Sequence, residues 1–136
     1  MVKAIIRDPL LLSQASQSAT GMDSLVARDL MDTLEANKDR CVGMAANMIG
    51  INKRIIAVRD GTIQFVMFNP VIVRQSGEFE AEEGCLSLDG KRKTIRYQQI
   101  EVEYQDQLLR KRTGTYKGWI AQIIQHEIDH CNGKLI

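Results

Sequence analysis

Apolar positions recur at helical spacing only at the two ends of the chain. Val26, Ala27, Leu30, Met31 and Leu34 fall on one face and predict an amphipathic helix over Asp23–Lys38, with Asp23 or Thr20 as its cap. The small-residue stretch Cys41–Gly50 (CVGMAANMIG) reads as a loop. From there the pattern turns to short β runs: Arg54–Arg59, Gln64–Phe68, Val71–Val73 and Phe79–Ala81. Asp60-Gly61 marks a hairpin between the first two. Ile95–Tyr104 alternates, with Ile100, Val102 and Tyr104 on one face and Glu101 and Glu103 on the other. Asp106-Gln107 turns the chain. A second helix is expected over Thr115–His130, with Trp119, Ile123 and Ile124 as its apolar stripe and Gly118 as a mild cost. Helix, antiparallel sheet, helix makes an α+β fold, expected as a single domain over residues 1–136.

Composition removes several function classes. Apolar residues are 44% and charged residues 26%, so the chain can bury a core and is not a disordered segment. Eighteen basic residues against seventeen acidic ones leave a net charge of +1, which gives no bulk-charge argument for DNA binding. No run approaches the ~18 apolar residues of a membrane span, and the first residues do not read as a signal peptide, so a cytoplasmic protein is expected. Three cysteines without a secretion signal argue against a disulfide framework. The runs Lys91-Arg92-Lys93 and Arg110-Lys111-Arg112 read as solvated hairpin ends rather than an RNA surface.

The two histidines, the only ones in the chain, stand four residues apart in His126-Glu127-Ile128-Asp129-His130. On a helix, i and i+4 lie one above the other, so both imidazoles can hold one cation from a rigid support. Glu127 stands beside such a cation without binding it and is placed to take and pass a proton. The bland alternative is a solvated charged face. A third protein ligand is needed, because catalytic sites of this kind use three. Cys131 points away from the histidines and reads as a core thiol. Cys85, next to Gly84, is preferred on chemistry to Cys41, with a buried structural thiol as its alternative.

The strings CVGMAANMIG, EGCLSL and QHEIDHCNG resemble, in order and spacing, the three motifs of peptide deformylases. IRDPLLL and FNPVIV also resemble the family, so the likeness covers nearly the whole chain. It implies antiparallel sheets packed around a C-terminal metal-binding helix. It implies hydrolysis of the N-formyl group of N-terminal formyl-methionine on nascent proteins at the ribosome, with release of formate. Carried over by motif, Cys85 joins His126 and His130 as metal ligands and Glu127 is the general acid/base. The Leu86 N–H helps hold the oxyanion, Gly43 and Gly84 offer backbone groups to the peptide, and Val42 helps line the methionine pocket. Fe²⁺ is the implied native metal, with Zn²⁺, Ni²⁺ or Co²⁺ as substitutes.

The departures are specific. Cys41 stands at the first glycine of the family pattern, Asn47-Met48 at its Pro-Gln pair, and Asp89 at a proline. The family glutamine donates to the oxyanion, which Met48 cannot do; losing such a donor costs ~10²–10³ in rate. Asn47 is the candidate replacement, or an ordinary turn residue. Glu83 is expected to pair with Arg92 or Arg96. The chain ends soon after His130, so the helix that docks some members on the ribosome is not carried over. Two further readings follow from Met48: a paralogue acting on another N-acyl or peptide amide, and a weakly active formyl-peptide-binding protein.

Overall fold

The computed structural model describes residues 1–136. Five antiparallel strands form one sheet in chain order: β1 (Gly43–Ala45), β2 (Ile55–Asp60), β3 (Ile63–Cys85), β4 (Leu88–Gln105) and β5 (Lys111–Lys117). Three helices accompany it: α1 (Pro9–Leu12), α2 (Ser24–Ala36) and α3 (Gly118–Cys131). No helix is long and apolar enough to cross a membrane.

The sheet is packed on both faces. Ala27, Leu30 and Leu34 of α2 meet Ile55, Ala57, Val66 and Phe68 on one side. Ala121, Ile123, Ile124 and Ile128 of α3 meet Ile56, Val58, Met67, Ile100 and Val102 on the other. This explains why Ile55–Val58 is an unbroken apolar run: alternate residues of β2 feed opposite cores. Val26 and Met31 are only half-buried at the edge of the α2 stripe, and Cys131 lies in the α3 core, as a core thiol should.

Several elements differ from the sequence pattern. The strands expected at 64–68, 71–73 and 79–81 are one strand, bent by register shifts rather than interrupted by loops. One shift falls at Asn69, whose φ is +52°. Its side chain holds the bend by accepting from Ala19 N–H and donating to the Ala19 carbonyl and to Gln105 Oε1. The β2–β3 turn sits at Gly61-Thr62, one residue beyond the expected pair, with Gly61 at φ +64°. Within the expected loop 41–50, Gly43–Ala45 is the edge strand β1 and Ala46–Ile49 a 3-10 turn ending at Gly50.

The expected helix over Thr115–His130 starts later. Thr115–Lys117 belongs to β5, and the chain swings into α3 at Gly118, whose φ of +63° suits glycine. Gly118 is therefore the switch between strand and helix, not a cost inside a helix. Trp119 also leaves the predicted apolar stripe: it is 63% exposed. At the other end of α3, Arg54 donates to the Cys131 carbonyl and to Asn132 Oδ1, and Ser16 N–H donates to the Cys131 carbonyl. Those contacts satisfy carbonyl groups that a helix end leaves open.

Candidate metal centre and cleft

A cleft of about 440 Å³ lies between α3, the end of β3 and the segment leading into β1. His126 and His130 project from successive turns of α3, their ring centroids 4.9 Å apart. Cys85 comes from the end of β3, where Leu86-Ser87 turns the chain into β4. The donor atoms of Cys85, His126 and His130 all lie within 4.8 Å of one another. Cys85 Sγ is 3.3 Å from His130 Nε2, and the two Nε2 atoms are 3.2 Å apart.

These spacings fit a metal ion. Ligand bonds of ~2.0–2.1 Å to nitrogen and ~2.3 Å to sulfur in a tetrahedron put the nitrogens ~3.3 Å apart and sulfur ~3.5 Å from nitrogen. The surrounding bonds also direct the right atoms inward. Glu83 Oε1 accepts from His126 Nδ1 at 2.9 Å, which leaves the Nε2 lone pair free. Glu83 itself accepts two bonds from Arg96, at 2.7 and 2.9 Å, and one from Gln122 Nε2 at 2.8 Å. Arg96 Nη1 also reaches Asp129 Oδ2 at 2.7 Å. Arg96, not Arg92, is therefore the partner of Glu83; Arg92 donates to the Asp89 carbonyl instead. Asp89 accepts from Arg7, whose Nη1 donates to the Leu86 carbonyl, so this pair braces the turn beyond Cys85.

Electrostatics favour positive charge at the donor cluster. Burial would raise the Glu83 carboxyl, yet the bonds from His126, Arg96 and Gln122 hold it down at about 2. Burial disfavours a charged His126, but Cys85, Glu83 and Glu127 outweigh it and raise its pKa to about 10. Burial and the charge on His126 push His130 down to about 3. One proton is thus held among ligand atoms where a divalent cation would displace it. Glu127 is buried, and that burial raises it to about 7; its Oε1 has no hydrogen-bond partner. A buried carboxylate oxygen left open beside such a cluster is poised to exchange a proton with a guest.

The remaining expected residues are placed as follows. Val42, Gly43, Gly84 and Leu86 all line the cleft. Gly43 has no room for a side chain: a Cβ there would lie 2.7 Å from Ile123 Cγ2 and 2.8 Å from Glu127 Oε2. Cys41 also lines the cleft, and its Sγ lies 2.9 Å from the Gly43 carbonyl. Burial, then the nearby Glu127 charge, pushes this thiol up to about 12. Asn47 takes a different position from the expected oxyanion donor. It is buried, and its Nδ2 donates to the His130 carbonyl at 2.9 Å. Met48 is the neighbour that lines the cleft. Among the lining residues that sequence reasoning missed, two stand on α3 itself. Gln122 and Trp119 sit one and two turns before His126, and i−4 and i−7 spacing from that histidine was the available signal.

The chain is similar over its whole length to known proteins. The family model described as polypeptide deformylase matches residues 4–136. A peptide deformylase of Clostridium beijerinckii is 50% identical over 136 residues, covering all of both chains. A peptide deformylase of Thermus thermophilus is 36% identical, over 94% of this chain and 76% of its own. Among solved structures, a peptide deformylase from Legionella pneumophila superposes with a TM-score of 0.88 at 34% identity, covering 99% of this chain and 83% of its own. A Met-Ala-Ser-bound class I type b peptide deformylase from Acinetobacter baumannii gives 0.89 at 26% identity, covering 99% and 97%.

Proposed function

This chain belongs to the peptide deformylase family, and we propose that Cys85, His126 and His130 hold its one divalent metal ion while Glu127 moves the proton. The protein is a hydrolase that removes the N-formyl group of nascent proteins. Its substrates are formyl-methionyl chains emerging at the ribosome, and its place is the cytoplasm. A thiolate and two imidazoles suit Fe²⁺ as the native ion and accept Zn²⁺, Ni²⁺ or Co²⁺. When bound, the ion supplies Lewis acidity: it polarises the formyl oxygen and acidifies a water.

The protein's own groups do the rest. Glu127 Oε1 accepts a proton from the attacking water, whose oxygen bonds to the formyl carbon. The oxyanion that forms is met by the Leu86 N–H. The C–N bond then breaks as Glu127 returns the proton to the leaving amine, and formate departs. Gly43 and Gly84 present backbone to the peptide, and Gly43 does so because nothing larger than hydrogen fits beside Ile123 and Glu127. Val42 lines the pocket for the methionine side chain. Asn47 acts indirectly, by holding the His130 carbonyl.

The observation that carries this reading is the buried, unpartnered Glu127 oxygen beside the Cys85–His126–His130 cluster. Protein prepared anaerobically with Fe²⁺ is expected to release formate from a short formyl-methionyl peptide. Glu127→Ala is expected to abolish release while retaining metal, and Cys85→Ser to lose metal. No turnover at full metal occupancy would overturn the reading.

A further inference from the structure

The turn that follows Cys85 is gripped from outside by a residue of the N-terminal segment. Arg7 Nη1 donates to the Leu86 carbonyl at 3.0 Å, and its Nη2 donates to Asp89 Oδ1, so one guanidinium spans the turn. The Arg7 backbone is fixed on both sides. Ile6 N–H donates to the Met48 carbonyl at 2.8 Å, and Asp8 caps α1 by accepting from Leu10 N–H at 2.9 Å. The Leu86 carbonyl belongs to the same planar peptide group as the Ser87 N–H, and in a trans peptide the two point opposite ways. That N–H donates to Cys85 Sγ at 3.5 Å. It is the one backbone donor on the sulfur, and Ser87 is 1% exposed, so the donor is shielded from water.

We propose that Arg7 is a positioning residue for the metal centre: it acts through the Leu86–Ser87 peptide group to aim and strengthen the N–H bond to Cys85 Sγ. The inference rests on the reading of Cys85 as a ligand and deepens it. A cation at the carbonyl end draws electrons through the amide and makes its N–H a better donor. A stronger N–H bond draws charge from the thiolate. Cys85 then gives less of that charge to a bound ion and leaves more Lewis acidity for the formyl group. Folding stability is not what the contact adds. The Arg7 and Asp89 side chains are 53% and 94% exposed, and exposed ion pairs contribute little to stability. What the guanidinium holds is the peptide group that faces the ligand sulfur.

The test uses the Co²⁺-loaded protein, whose sulfur-to-metal charge-transfer absorption reports the electron density on Cys85. Arg7→Met keeps most of the side-chain length and removes the donors. Its band is expected to move to longer wavelength, and its Co²⁺ affinity to fall about tenfold, the lower end of what losing an outer partner costs. Arg7→Gln, also uncharged, replaces it if Arg7→Met does not fold. Arg7→Lys returns a cation to the carbonyl and is expected to bring the band back toward its wild-type position; a shift that it does not reverse counts against Arg7. The Tm of the metal-free variants is expected to stay near that of the wild type. A band that keeps its wild-type wavelength in Arg7→Met overturns the proposal, and a lowered Tm beside it would make Arg7 a brace only. Cys85→Ser is expected to abolish the band. If the Co²⁺-loaded wild type has no such band, the ligand reading fails and the role of Arg7 falls with it; a band present but unmoved sinks the role of Arg7 alone.

Discussion

Glu83 accepts four hydrogen bonds and reaches no guest atom through the proposed chemistry, yet it sets the direction of His126. Glu83→Gln is expected to weaken metal binding ~10–100-fold, the usual cost of losing such an outer partner. The same change has a pH signature. The carboxyl sits at about 2 in the folded chain against an ordinary 4.5, so its stabilising contribution is complete above ~4.5 and lost as pH falls through about 2. Acid unfolding of the metal-free protein, followed by circular dichroism, is therefore expected to be less steep in Glu83→Gln over that window. Gly43→Ala tests a steric requirement instead. Its methyl would press on Ile123 and Glu127, so a loss of ~1–3 kcal/mol in denaturant unfolding and a large fall in kcat are expected together. Met48→Gln returns an amide donor to the cleft wall, and kcat is expected to rise at least tenfold. An unchanged kcat would mean that the Leu86 N–H and the ion suffice.

At the scale of elements, α3 carries His126, Glu127 and His130 on one face and core residues on another. That division was legible because helical periodicity and metal-ligand spacing coincide on Ile123, Ile124, His126 and His130. Where α3 begins was not legible: Thr115–Lys117 continues the apolar-polar pattern without a break, and only the left-handed Gly118 separates strand from helix. Residue types alone ranked Cys85 above Cys41 by little, and motif order decided between them. The choice of Arg96 over Arg92 needed the side chains in space. Register sets Arg92 opposite Glu83, but it is Arg96 whose buried guanidinium returns to that carboxylate. Asn47 misled for a similar reason, since nothing local says that its amide is spent on a carbonyl of α3. Asn47→Ala removes that tie, so a stability loss of about 1 kcal/mol is expected in denaturant unfolding. The loss in kcat is expected to fall short of the hundredfold that an oxyanion donor would show.

At the scale of the whole molecule, two cores on opposite faces of one sheet hold the cleft at the meeting point of distant chain segments. The segment into β1 supplies Val42 and Gly43, the end of β3 supplies Cys85, and α3 supplies the histidines. Chelation of the bound ion is expected to lower Tm, and the shift should follow the ratio of free ion to its dissociation constant. An ion held by Cys85 and His126, as proposed, would have a second role as a removable cross-link. It would tie a hairpin tip to a helix about 40 residues further along, and closing a loop of that length with a covalent bridge is worth about 4 kcal/mol in chain entropy. Loading the enzyme for chemistry would then also staple it shut, and a chain that loses its ion would become easier to degrade as well as inactive.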